Sequence, residues 1–248
     1  MNARRGWLVV VAAFALLAAA TDLAAAEVPV AVAANMAPVL TRLAPGFQAA
    51  TGHVIRASAG ATGKFHAQIA AGAPFQVLLA ADDETPRRLI AEGHAVAGSA
   101  FTYAIGRLVL WSARPGLVDE QGAVLAGTPF RRLAIADPRV APYGSAAMDV
   151  LRARGLADTL APRLVTAQSV GQAFQFVASG NAELGFVAAS QVQGAGGSLW
   201  RVPADLHRPI RQDAVMLKAG AGHPAALALL QFLKSPAVRE QLRAAGYD

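Results

Sequence analysis

Four short stretches have residue types suited to holding an anion without reacting with it. They are Ala33-Ala34-Asn35-Met36, Ala59-Gly60-Ala61-Thr62-Gly63, Ala141-Pro142-Tyr143-Gly144 and Gln168-Ser169-Val170-Gly171. Each stands before a run with helical periodicity and offers only small or neutral hydrogen-bonding groups. A helix start leaves about four N–H groups unpaired and carries roughly half a positive charge. Several such starts facing one cleft would hold an oxyanion with dipoles and hydroxyls alone. The same residues also suit plain structure, because Ser, Thr and Asn cap helices and Gly serves tight turns.

The second stretch, extended to Ser58 and Phe65, invites a nucleotide reading that its spacing refuses. A phosphate loop of the form Gly-x-x-x-x-Gly-Lys-[Ser/Thr] needs glycine at position 58 and a hydroxyl at 65; the chain has Ser58 and Phe65. Lys64 then reads as a solvated surface lysine, whose removal should change little beyond a salt-dependent on-rate. Other chemistry is no better supplied. The five histidines (His53, His66, His94, His207, His223) lack metal-ligand spacing and read mostly as surface residues. No Gly-x-Ser-x-Gly elbow occurs. Asp82-Asp83-Glu84 sits where a helix cap and first-turn acids belong. With no cysteine, a disulfide scaffold and a thiolate metal site are excluded. Binding rather than catalysis is expected, with no cofactor.

The elements that must place these stretches alternate strand and helix. Strands are predicted over 28–33, 53–58, 75–81, 132–136, 163–167, 183–188 and 210–217. Helices are predicted over 38–50, 63–71, from Asp83 to Gly93, and over 145–154, 170–179, 225–234 and 237–245. Pro45-Gly46 should kink or break the first helix near Ala44. Phe101 to Trp111 is long for one strand and suggests passage between lobes. Two extended crossings, near 104–109 and 208–212, make the simplest architecture two α/β lobes. The first comprises residues 27–105 and 211–248, the second the inserted residues 106–210. Ligands of open α/β sheets sit outside the carboxyl ends of strands, where all four stretches fall.

Residues 1–26 have the layout of a secretory signal peptide: Arg4-Arg5, an apolar run from Trp7 to Ala20, and small residues at Ala24-Ala25-Ala26. The apolar run is shorter than the roughly 20 residues needed to span a bilayer. Cleavage between Ala26 and Glu27 would leave an exported chain with no cysteine for a lipid anchor, hence a freely soluble periplasmic protein without stable membrane insertion. Its net charge would fall from +6 to about +5, spread too evenly for a nucleic-acid patch.

Six segments in order carry a family resemblance: VAVAANMAPVL from 30, TGHVIRASAGATGKFHAQIAAGAPFQVLLAADDETP from 51, FTYAIGRLVLWS from 101, IADPRVAPYG from 135, SVGQAF from 169 and ELGFVAASQV from 183. Together they resemble the periplasmic molybdate-binding proteins, the substrate-binding subunits of bacterial molybdate ABC transporters. The resemblance implies a type II periplasmic binding-protein fold, with two α/β lobes joined by a two-strand hinge and a ligand cleft between them. It implies oxyanion contacts at Ala34, Asn35, Thr62, Tyr143 and Val170, with Ala61 and Ser169 as possible additions. Related proteins carry Ser or Thr at the first or second of these positions, so Ala34 would have only its backbone N–H to offer. Molybdenum would be held only as molybdate, with tungstate close in size, by a monomer that serves a membrane permease. A same-fold binder of sulfate, phosphate or a small organic anion, an exported enzyme on an anionic substrate, and a signalling clamshell are the alternatives.

Overall fold

The computed structural model describes residues 25–127 and 129–248. The leader expected over residues 1–26 lies outside the described residues apart from Ala25 and Ala26. The chain begins with β1 (Glu27–Ala33), α1 (Ala37–Thr51), β2 (Val54–Gly60), α2 (Thr62–Ala70), β3 (Val77–Leu79), α3 (Glu84–Ala91) and β4 (Phe101–Gly106). Next are β5 (Leu108–Ser112), β6 (Leu133–Ala136), α4 (Pro142–Ala153), α5 (Ala157–Leu160), β7 (Leu164–Ala167), α6 (Val170–Ala178), β8 (Leu184–Ala188) and β9 (Ser198–Arg201). The chain ends with β10 (Ile210–Met216), α7 (Pro224–Leu233) and α8 (Pro236–Ala244).

Two five-stranded sheets result, ordered β2-β1-β3-β10-β4 and β7-β6-β8-β5-β9. β1 is parallel to β2 and β3, and β6 is parallel to β7 and β8. The strands that enter from the other sheet, β10 and β5, run antiparallel to their neighbours. Buried parallel strands read as continuous apolar runs because both faces are covered; Val28, Val30, Ala31 and Val32 of β1 are fully buried. Helices α1, α7 and α8 pack on one face of the first sheet around Leu40, Phe47 and Leu229. Phe65, Ile69 and Leu89 of α2 and α3 form a core with Leu78 of β3 and Val215 of β10. The core of the second sheet gathers Trp111, Tyr143, Phe186 and Trp200, and also takes in Ala33, Ala61 and Ala81 from the first. The two sheets therefore meet through alanines at or just past the ends of β1, β2 and β3.

Three local expectations change. α1 continues through Pro45 instead of breaking. Pro45 is exposed, whereas Val39, Leu40, Leu43 and Phe47 are buried. Water can therefore satisfy the Thr41 carbonyl that loses its partner, while burial of the apolar stripe outweighs the roughly 3 kcal/mol that an interior proline costs. α4 starts at Pro142, not 145, because proline suits the first helical turn; Tyr143 is thus inside the helix. The run 101–111 divides at Arg107 into β4 and β5, one in each sheet. His53 also departs from a surface reading: it is buried, and its Nδ1 accepts the Ala26 N–H at 3.2 Å.

The crossing between the sheets is tightly packed. Ile210 pairs with Gly106 where β10 and β4 meet. Ile105 and Asp248 exchange both backbone hydrogen bonds, at 2.8 and 3.0 Å. Arg107 Nε donates to the Asp248 carboxylate at 2.8 Å, a bond that holds this carboxyl below the usual range. A Cβ on Gly106 would fall 2.2 Å from the Tyr143 hydroxyl and 2.9 Å from Gln212 Nε2. We expect Gly106→Ala to cost about 1–3 kcal/mol in urea denaturation, and less in a Tyr143→Phe background. Equal costs in the two backgrounds would show that the hydroxyl is not what excludes the methyl.

Candidate functional site

The four stretches come together as one closed ring of contacts. The Ala34 N–H donates to the Gly60 carbonyl at 2.9 Å, joining the first turn to the second. The Gly63 N–H donates to the Val140 carbonyl at 2.9 Å, joining the second to the third. The Asp137 N–H donates to the Ala167 carbonyl at 2.8 Å, joining the third to the fourth. A Cβ on Gly171 would lie 3.2 Å from the Ala34 Cβ, so the fourth turn rests on the first. Two of the turns belong to each sheet, and the ring spans the space between them.

Inside this ring several backbone donors are left over. The N–H groups of Asn35, Ala61, Thr62, Tyr143 and Val170 have no hydrogen-bond partner among the described residues. All five residues are almost wholly buried. Buried N–H groups without a partner are rare, because each forfeits the bond it made to water. Thr62, Tyr143 and Val170 are first or second residues of α2, α4 and α6, so the positive ends of three helix dipoles accompany the free donors.

Side chains set the details. Thr62 Oγ1 accepts the Ala81 N–H at 3.0 Å, which fixes the oxygen and leaves its own proton for another acceptor. Ser169 caps α6 by accepting the Gln172 N–H at 3.3 Å. Asn35 uses both amide hydrogens elsewhere: Nδ2 donates to Gln212 Oε1 at 2.8 Å and to the Tyr247 hydroxyl at 2.9 Å. Tyr247 in turn donates to the Asn35 carbonyl at 3.1 Å, and Ser190 Oγ lies 3.2 Å from the same oxygen. The side chain of Asn35 therefore fastens its turn to the crossing, which leaves its backbone N–H as the free donor and its Oδ1 as an acceptor without a partner among the described residues. Ala34 needs a correction: its N–H is engaged by Gly60, so this residue contributes shape rather than a donor. The Tyr143 hydroxyl points at Gly106 and has no partner among the described residues.

Gln212, Tyr247, Ser190 and Ala81 were not singled out in the sequence. Each acts through contacts with distant segments, and no local pattern marks them. Asp82 was correctly placed at a helix start, where it accepts the Thr85 N–H at 2.8 Å; burial pushes its carboxyl up.

A groove of about 350 Å³ borders the second and third turns at Gly63, Ala141 and Pro142 and runs past Asp82, Asp149 and Arg208. None of the five free donors lines it, and its carboxylates are interleaved with the guanidinium groups of Arg88, Arg139 and Arg208. The ring encloses only uncharged donors and offers no nucleophile with a base beside it. No group of three or more His, Cys, Asp or Glu able to hold a metal ion occurs among the described residues. Such a site can hold a small oxyanion through its oxygens.

Comparison with known proteins gives a consistent picture. Residues 28–248 match the family model described as bacterial extracellular solute-binding protein. The chain is 54% identical over 244 residues to the molybdate-binding protein of Azotobacter vinelandii, a match covering 97% of this chain and 96% of that one. It is 52% identical over 225 residues to the molybdate-binding protein of Rhodobacter capsulatus, covering 90% and 89%. The solved structure of the periplasmic molybdate-binding protein of A. vinelandii superposes with a TM-score of 0.87 at 46% identity, covering 90% of this chain and 99% of that one.

Two outcomes follow from the geometry. Thr62→Ala strands the buried Ala81 N–H and should cost roughly 1–3 kcal/mol in the anion-free protein, whereas Thr62→Ser should restore it; urea denaturation of both variants decides this. All three tyrosines of the chain, Tyr103, Tyr143 and Tyr247, are buried. Burial pushes Tyr103 and Tyr143 well above the ordinary value and Tyr247 up to about 12. Stability tied to their neutral forms is complete below the unfolded value of about 10 and is lost as pH rises from there towards 12. Absorbance at 295 nm should show no tyrosine titrating near pH 10, and ionisation should arrive together with unfolding.

Proposed function

The chain belongs to the bacterial extracellular solute-binding proteins, and on that premise we propose that it captures molybdate, and tungstate with it, for delivery to an ABC transporter permease. Its fold is the type II periplasmic binding-protein architecture, two α/β lobes around a cleft. The observation that carries the reading is the set of buried, partnerless N–H groups closed into one ring by contacts from both sheets. In this reading Asn35, Thr62, Tyr143 and Val170 donate from their backbones and Thr62 adds its hydroxyl. Ala61 and Ser169 line the same turns, and Ala34 keeps the first turn close to Gly171.

The division into a first lobe of residues 27–105 and 211–248 and a second of 106–210 is part of the proposal. Binding would favour closure because only the closed arrangement applies both sets of donors to one anion. Fixed dipoles select by size, since they cannot follow a smaller ion inward as a flexible ammonium does. Molybdate and tungstate would fill the ring alike, and the smaller sulfate would leave donors unsatisfied. The protein acts here as a monomeric binder without a cofactor, and molybdenum enters only as its oxyanion. A periplasmic location is supported by the A. vinelandii relative, which is named as periplasmic. No helix among the described residues is long and apolar enough to cross a membrane.

A thermal-shift panel with molybdate, tungstate, sulfate and phosphate tests the proposal. A ligand at about 100 times its dissociation constant adds roughly 2.7 kcal/mol of stability. Molybdate and tungstate should each raise Tm and sulfate should not; the absence of a shift with both metal oxyanions would overturn the reading.

A further inference from the structure

Lys64 directly follows Gly63 of the second turn and, although exposed, has a partner in the other sheet. It occupies the third position of α2, where a cation opposes the helix dipole. Its Nζ donates to Gln168 Oε1 at 2.8 Å, from the first sheet's helix to the turn that opens α6 of the second. The Gln168 backbone is itself held, since its N–H donates to Gln172 Oε1 at 2.6 Å. Asp137 stands close enough that Lys64 adds to the effect of Arg139 in keeping its carboxyl ionised. The preceding residue crosses the same gap: the Gly63 N–H bonds the Val140 carbonyl, and a Cβ there would approach Val140 Cα and O at 3.0 Å. Two consecutive residues thus tie one lobe to two separate segments of the other, and neither bond uses a ligand atom.

We propose that Lys64 and Gln168 form a latch that lengthens the lifetime of the closed state, so that they set how slowly a captured oxyanion is released. The inference rests on the oxyanion-binding reading for its ligand, but the latch itself is a contact between lobes. Gln168 carries no charge, so its loss cannot act by weakening long-range attraction of an anion. A lysine that only steers anions changes the on-rate, whereas a latch changes the off-rate. The pair also has to behave as a unit, because each partner's contribution vanishes with the other.

The experiment uses the full mature chain. Release of radiolabelled molybdate into excess tungstate is timed for wild type, Lys64→Met, Gln168→Ala, the double variant and Lys64→Arg. The absence of native cysteine allows spin labels at Gln68→Cys on α2 and Ala153→Cys on α4, both exposed, to report the lobe separation by pulsed EPR with and without molybdate. Each single loss should speed release about 3- to 10-fold, the size of a charge-assisted bond weakened by solvent. The double variant should be no faster than the faster single one, Lys64→Arg should stay near wild type, and the separation in the loss variants should broaden towards open. Off-rates and separations equal to wild type in Lys64→Met and Gln168→Ala would overturn the latch, as would an off-rate change in Lys64→Met alone. Should wild type bind neither metal oxyanion, the ligand assignment fails, and the lobe separations alone then decide the latch by the same criterion.

Discussion

A buried peptide N–H without an acceptor is a costly thing to build, and this structure gathers five of them in one place. Each forgoes a bond to water in exchange for a position near a helix start. The surrounding residues are consistent with that demand. Alanines stand at or just past the ends of β1, β2 and β3, and glycines stand at 63 and 171, where bulkier side chains would hold the turns apart. The uncharged character of the ring follows as well. A flexible cation among the donors would satisfy an anion of almost any radius, and the selection by size proposed for the ring would be lost.

Holding donors on two sheets in register places a second demand on the crossing between them. Asn35 meets it most directly, because its amide binds Gln212 of β10 and Tyr247 near the end of the chain. The same network reaches Ser190, beyond β8 in the second sheet. Tyr143, at the start of α4, lays its hydroxyl against Gly106 in the crossing. The first turn and the crossing between the sheets are therefore bonded directly to one another. A change at the crossing is felt at the donors within one or two side chains.

Much of this was legible from residue types and spacing. The alternation of strand and helix, the position of the two crossings and the four turns before helices all follow from local patterns, and the ring is made from those turns. What local patterns did not convey are pairings across long sequence separations. Ala34 looked able to give its N–H until Gly60, from the neighbouring strand end, was seen to take it. Asn35 was legible as a position in the first turn, but the partners of its side chain lie 177 and 212 residues away. Pro45 looked like a helix break because propensity is local, whereas the burial that carries α1 past it is tertiary. Lys64 is exposed, as its sequence context suggested, but nothing near it in the chain announces its bond to Gln168.

Peptide N–H groups do not titrate anywhere near the conditions in which proteins work, and the ring is made of them. Proteins exposed to the surroundings of a cell meet swings in acidity and ionic composition that the cytoplasm damps. A site built from histidine or carboxylate would change its charge with those swings. In the site proposed for this chain the donors stay as they are for as long as the fold survives, so any limit on capture would be set by the ionisation of the anion and not by that of the protein.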